Sequence, residues 1–302
     1  MKNTMQGTTK SLHPEDRHFE AILKHAVAPR PICFASTQDK EGNVNLSPFS
    51  YFNMVSQNPA ILLFSPLRRM RNSTIKHTLE NLYEVPEVVI NIVNYPMVQQ
   101  QSLASTEYEK GVNEFVKAGF TPIASELIAP PRVAESPVQL ECRVREIIPL
   151  GDTPGSGNLV LSEVLRMHIR ANMLDAQGYI QQGALDLVAR LGANWYCRVR
   201  DADLFEVAKP LATKGIGVDQ LPEKIRLSTV LTGNHLGQLA NVEQIPEEES
   251  LNELKQDPQL SLWLKDLSDK TENLEVSLHQ KAALCLDKGQ VMPAWRILRA
   301  IH

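Results

Sequence analysis

In the first two-thirds of the chain, apolar residues fall in short runs or alternate with polar ones, and turn residues separate the runs. That is the pattern of strands. Ile32-Cys33-Phe34-Ala35-Ser36-Thr37 is β-rich and ends in the turn sequence Asp39-Lys40-Glu41-Gly42-Asn43; Val44-Asn45-Leu46 then resumes extended chain, which predicts a hairpin. Residues 60–64 and the β-branched stretch 87–93 predict buried strands. Residues 138–148 alternate apolar and polar, 158–169 do so more loosely, and the turn-rich connector 151–157 makes them a long hairpin. Two short helices are predicted, over 74–83 with Asn72 or Ser73 as cap, and over 97–103. Pro130, Pro131 and Pro137 demand an extended loop over 123–137. Antiparallel strands with only short helices between them predict a mainly β fold, a Greek-key barrel rather than a doubly wound sheet.

After about residue 210 the pattern changes. Leucines recur at helical spacing over 247–269, 272–287 and 291–301, with Pro246, Pro258 and Pro293 near the helix starts. Two domains are expected: a β domain over 1–210 and a mostly helical extension over 211–302, whose apolar stripes suit packing or a dimer contact. Charge divides the same way. Residues 1–200 carry 20 basic and 19 acidic side chains, and residues 201–302 carry 11 and 16. The net charge of -4 gives no general basis for binding nucleic acid or an anionic membrane.

With 43% hydrophobic and 22% charged residues in a chain of 302, a sizeable core is expected and disorder is not. The longest apolar runs are far below the roughly 18 residues of a membrane span. His13, Glu15, Asp16, Arg17 and Glu20 stand where a signal peptide would place its apolar stretch, so a cytoplasmic protein is expected. The four cysteines, Cys33, Cys142, Cys197 and Cys285, are too dispersed for a zinc site or a disulfide framework. Walker A, G-x-G-x-x-G, G-x-S-x-G and H-E-x-x-H patterns do not occur.

Two segments concentrate polar chemistry. In residues 45–56, hydroxyl and amide side chains crowd around Pro48, which is expected to break the ladder and free backbone groups for a planar heterocycle. About 20 residues on, Arg68, Arg69, Arg71, Lys76 and three hydroxyls meet at the start of the first predicted helix. Free N–H groups there favour an anion, although such a run equally suits a solvated surface. Likewise Ser47, Ser50 and Asn53 suit a bulge, Arg190-Leu191-Gly192 a helix end with a glycine cap, and Trp195 and Tyr196 a core or an interface.

Taken in order, several stretches resemble the flavin reductase-like family, whose fold is the FMN-binding split barrel. They are Ala28-Pro29-Arg30-Pro31-Ile32, Ser36-Thr37 with Gly42 and Asn45, Ser47-Pro48-Phe49-Ser50-Tyr51-Phe52-Asn53, Asn58-Pro59-Ala60, Lys76-His77-Thr78-Leu79-Glu80-Asn81, and Glu87-Val88-Val89-Ile90-Asn91. Arg132-Val133-Ala134-Glu135-Ser136-Pro137-Val138 and Leu187-Val188-Ala189-Arg190-Leu191-Gly192 continue the series, so the resemblance covers about residues 20–210.

The resemblance implies bound FMN, or flavin as a substrate, in a homodimer with the flavin near the subunit interface. Asn45, Leu46 and Ser47 would meet the ring edge, and Ser50, Phe52 and Asn53 would flank the ribityl chain and ring. Lys76 and Thr78, with Arg69, would hold the phosphate, and Arg30 would be a further cation near the nucleotide. His77 departs from the acid often found before that threonine. The implied reaction is NADH- or NADPH-dependent flavin reduction with no protein acid or base in the hydride step; an FMN electron carrier, or a flavin-binding module without nicotinamide turnover, is the alternative. With no second nucleotide motif to hold an adenylate, FMN is expected in preference to FAD.

Overall fold

The computed structural model describes residues 8–211, 214–246 and 274–299. They divide into two compact units, one of Ser11–Phe205 and one containing the described residues from Glu206 onward. The first is built on a seven-stranded, wholly antiparallel sheet. Its strands are β1 (Cys33–Gln38), β2 (Val44–Phe49), β3 (Phe52–Gln57), β4 (Ala60–Phe64), β5 (Glu87–Ile92), and the long pair β8 (Val138–Pro149) and β9 (Asn158–Ile169). The short strands β6 (Pro122–Ile123) and β7 (Arg132–Val133) pair with each other between β5 and β8 in sequence.

Strand order in the sheet is β2-β1-β5-β8-β9-β4-β3, so β2 and β3 are its two edges, yet only Ser50 and Tyr51 separate them in sequence. A flat sheet of this order would hold its edges about 29 Å apart. The chain from Phe49 to Phe52 spans at most about 11 Å. The sheet must therefore curl until both edges reach one corner, where the Ser65 N–H donates to the Tyr51 carbonyl at 2.9 Å. Bulges between Glu141 and Cys142 and between Val144 and Glu146 break the regular register of β8 against β9, at positions suited to bending the two longest strands.

Side chains from all parts of the curled sheet fill its interior, among them Cys33, Phe49, Phe64, Val88, Ile90, Cys142 and Val160. Phe49 on the edge strand β2 and Phe64 on β4, next to the other edge, lie with ring centroids 5.4 Å apart. A second core forms on the outer face of β1 and β2. There Phe34 and Leu46 meet Val93, Met97 and Phe115, and Phe34 packs edge-on to Phe120 at 5.2 Å. This core carries the helices α3 (Val98–Leu103) and α4 (Glu114–Ala118).

The hairpin of β1 and β2, the strands β4 and β5, and the long hairpin of β8 and β9 form as their hydrophobic patterns require. Other expectations are corrected. Pro48 does not break the ladder: it stays in β2 opposite Phe34, because β2 is an edge strand and its outer side needs no N–H. The helix expected from residue 74 is α2 (His77–Glu84), preceded by Lys76 as an extended N-cap. Ser73 at φ 56 turns the chain left-handed and stops a helix from starting earlier. Asn72 consequently caps a turn, accepting from the Thr74 hydroxyl at 2.8 Å. Gly192 ends no helix; it lies in the turn between β10 (Val188–Arg190) and β11 (Tyr196–Arg198), where the His25 ring leaves no room for a Cβ. Trp195 in that turn is 71% exposed and so belongs to no core, while Arg190 covers the Tyr196 ring at 4.7 Å.

In the second unit, the described helices include Gly233–Ala240, Leu274–Leu286 and Val291–Arg299. Trp295 is wholly buried among their leucines and donates its indole N–H to the Leu239 carbonyl at 3.1 Å. Thr232 and His235 form a reciprocal cap at the start of Gly233–Ala240. The helix expected over 247–269 lies outside the described residues.

Burial pushes the thiols of Cys33 and Cys142 well above their ordinary pKa, and each is pushed further by a neighbour, Cys142 for the first and Glu141 for the second. Both should therefore be poor nucleophiles while the sheet is intact. In native buffer at pH 8 we expect iodoacetamide to modify Cys197 and Cys285 well before Cys33 and Cys142, the core pair reacting only in urea. Peptide mass spectrometry showing Cys33 or Cys142 labelled as readily as a free thiol would contradict this packing.

Candidate functional site

A small cleft with a mostly polar lining lies where β2 faces the chain entering α2. Asn45 and Ser47 line it from β2, Arg69, Lys76 and His77 from the approach to α2, and residues 105–108 with Glu114 from the segment that leads into α4. It encloses about 30 Å³, room for a few waters or one phosphate-sized group.

The turn before α2 fixes the cations. The Arg69 backbone N–H donates to the Thr74 carbonyl at 2.9 Å, and its guanidinium donates to the Thr74 hydroxyl at 3.1 Å and to the Ile75 carbonyl. Arg69 also lines the cleft, where its Nε lies 3.9 Å from Glu107, a glutamate 56% exposed at the side chain. Lys76 emerges beside it with its ammonium 5.5 Å from the centroid of the Phe49 ring. Burial lowers the Lys76 pKa; Glu107 opposes that shift and Arg69 adds to it. Burial lowers His77 as well, with Arg69 contributing, so His77 favours its neutral form. A half-buried ammonium next to a guanidinium, with a single exposed carboxylate to balance them, is an arrangement that an anion would relieve.

Beneath the cations runs a buried polar relay. Glu114, 4% exposed, accepts from the Asn45 amide at 2.8 Å through Oε1 and from the Leu46 N–H at 3.0 Å through Oε2. Asn45 Oδ1 in turn accepts from the Thr78 hydroxyl at 2.6 Å. Burial raises the Glu114 pKa; the N–H groups of Leu46 and Glu114 and the Asn45 amide pull it partly back.

The sequence-derived candidates thus separate into groups. Asn45, Ser47, Arg69 and Lys76 come together around one cleft. Thr78 and Leu46 are wholly buried behind it: Thr78 acts through Asn45, and the outward N–H of Leu46 goes to Glu114. Ser50 lies in the corner between the sheet edges, Phe52 packs against the sheet interior, and Asn53 on β3 accepts from the Met54 N–H. Arg30 stands apart. Its guanidinium donates to the carbonyls of Lys24, Val27 and Leu191 and lies over the Tyr51 ring at 5.8 Å, which clamps the end of helix α1 (Phe19–Ala26) to the turn after β10. Glu107, Glu114 and His77 complete the cleft without having been singled out as ligands in the sequence. Asn113-Glu114 carries only the signature of a helix start, which it also is, since the Asn113 side chain accepts from the Phe115 N–H.

Comparison with known proteins agrees with this architecture. Residues 25–187 match the model of the flavin reductase like domain. An uncharacterized protein of Aquifex aeolicus is 33% identical over 172 residues, which is 57% of this chain and 85% of that protein. Among solved structures, nitrilotriacetate monooxygenase component B from Bacillus cereus superposes with a TM-score of 0.62 at 29% identity, over 67% of this chain and all of that one. A split-barrel protein of the flavin reductase type from Shewanella frigidimarina superposes at 0.55 and 26% identity, over 62% of this chain and 91% of that one. With the curled antiparallel sheet and a family match across more than half its length, the chain belongs to the flavin reductase-like family and has the split-barrel fold.

Proposed function

We propose that this protein binds FMN with its phosphate in the cleft between β2 and the entry to α2, and that it works as an NADH- or NADPH-dependent flavin reductase. The observation that carries the reading is the pair Lys76 and Arg69, two adjacent cations on a cleft of phosphate size, the lysine depressed by its own burial. A dianionic phosphate placed there would relieve the cation–cation repulsion and take over from Glu107 at the Arg69 guanidinium. The residues present therefore suit the nucleotide. The similarity to the split-barrel flavin reductase-type protein of Shewanella frigidimarina and membership of the flavin reductase-like family support a role in flavin reduction.

Bound flavin would supply a ring that accepts a hydride from the nicotinamide nucleotide. What the chain provides is binding and orientation. Lys76 and Arg69 would hold the phosphate, Ser47 would offer its hydroxyl at the cleft wall, and β2 would give the ring edge its outward carbonyls. Donors are scarce on that edge, because Pro48 has no N–H and that of Leu46 is engaged by Glu114. We further propose a homodimer. The outer side of β3 is an unpaired sheet edge on which Met54 and Val55 are 56% and 52% exposed, a surface that isolated proteins usually cover or blunt.

Replacing Lys76 with Ala should weaken FMN by about 10- to 150-fold, the range for one charge-assisted hydrogen bond, and leave riboflavin unchanged. Equal loss of both ligands, or of neither, would refute the phosphate assignment. The pH dependence carries a sign. A phosphate favours charged Lys76, so the ratio of FMN to riboflavin affinity should fall as pH rises through the lowered lysine pKa, before the ordinary value of 10.5 is reached. Calorimetric titrations with both ligands from pH 7 to pH 10, run as a comparison, would detect it. Oxidation of NADH or NADPH with added FMN tests the reductase reading directly, and no turnover with FMN bound would favour an electron carrier. Sedimentation that returned only a 33.8 kDa species at micromolar concentration would reject the dimer.

A further inference from the structure

Glu114 is a carboxylate placed where a neutral group would be cheaper. It is almost wholly buried and faces two neutral hydrogen-bond donors instead of a cation. Burying an ionised carboxyl in this way opposes folding, and burial is the main influence on its proton affinity. What a carboxylate offers that an amide does not is two acceptors and no donor. Both oxygens are used, one on the Asn45 amide and one on the Leu46 N–H. Because Glu114 only accepts, Asn45 must turn its NH₂ toward it, which leaves Asn45 Oδ1 toward α2. There it takes the Thr78 hydroxyl proton at 2.6 Å. One anionic group thus fixes the direction of every hydrogen bond from α4 through β2 to the first turn of α2. Ser47 lies two residues from Asn45 on β2, and Lys76 lies two residues before Thr78.

We infer that Glu114 is a positioning residue for the cleft: its two acceptor oxygens, acting through Asn45 and Thr78, set β2 and the entry to α2 in the register that lets Ser47 and Lys76 address one ligand. The inference rests on the flavin reading proposed above and adds to it a residue at the cleft wall whose two oxygens are both engaged by Asn45 and Leu46. It also explains why an edge strand carries a buried partner for its one outward N–H between Val44 and Pro48. Without Glu114, Leu46 would expose or bury an unpaired donor at the wall of the site.

Glu114→Gln tests the polarity and keeps the shape. The substituted amide can still accept from Leu46, but its NH₂ then faces Asn45, which must flip, and the Thr78 hydroxyl has to become an acceptor. We expect Glu114→Gln to lower the ratio of FMN to riboflavin affinity by about tenfold, equivalent to roughly one hydrogen bond of register. Flavin fluorescence quenching reads both ligands without turnover, and thermal melts of the flavin-free proteins are recorded alongside. A role confined to holding α4 in place would lower the melt and leave the ratio alone, and that result would overturn the inference. If Glu114→Gln does not fold, Thr78→Ser and Thr78→Val read the relay from its other end. Ser keeps the donor and should match the parent, Val should lose the ratio, and a Val variant equal to the parent would overturn the inference. Lys76→Ala separates the two readings. Loss of phosphate selectivity there with none at Glu114 refutes only the positioning role, whereas no loss at Lys76 refutes the site itself.

Discussion

Two residues, Ser50 and Tyr51, join the opposite edges of a seven-stranded sheet, and the rest of the first unit follows from that short reach. The link forces the sheet to curl, and curling gives it an inside. Phe49 on one edge strand and Phe64 on β4, next to the other edge, become neighbours, and side chains from β1, β5, β8 and β9 close over one core. The bulges in β8 and β9 add local twist where the longest strands must bend. The barrel stays split because β2 and β3 share a corner and do not pair along their length. An edge therefore survives on either side of the corner, and an edge strand has outward backbone groups for use elsewhere.

On β2 those outward groups are tuned. Pro48 removes one donor and Glu114 occupies another, so the free outward backbone groups of the strand are acceptors, while Asn45 and Ser47 line the cleft from it. Opposite stand the cations of the turn before α2, held by backbone contacts of Arg69 and by the left-handed Ser73 that delays the helix. Burial shapes the chemistry of the same walls: it lowers Lys76 and His77 and raises Glu114. All three shifts favour the uncharged forms; an anionic ligand would offset the cost of charge on Lys76 and add to that on Glu114.

Much of this was legible in the chain. Alternation and β-branching placed β1, β2, β4, β5 and the long hairpin of β8 and β9, because a strand with one buried face imposes a period of two on its own residues. The order of short motifs placed Asn45, Ser47, Arg69 and Lys76 near one another, and helical leucine spacing marked Leu274–Leu286 and Val291–Arg299. What the local pattern missed were choices between equal local options. Asn72, Ser73 and Thr74 are all good helix caps, and the backbone of Ser73 decided against them. Pro48 is forbidden in a central strand and harmless on an edge, and which of these β2 is depends on six other strands.

Arg30, Thr78 and Glu114 show where local information ends. The resemblance carried by the order of short motifs led to the expectation that cations, hydroxyls and amides of β2 and the entry to α2 serve one site, although β3 and β4 separate the two in sequence. Which of them line the cleft was decided by tertiary contacts. Arg30 is drawn away by three carbonyls from α1 and the turn after β10, and Thr78 is turned inward to Asn45. Glu114 reaches back across 69 residues to engage Asn45. A side chain's partner is chosen by the geometry of donors and acceptors in three dimensions, and the one-dimensional order of the chain carries that geometry only within a single turn or strand.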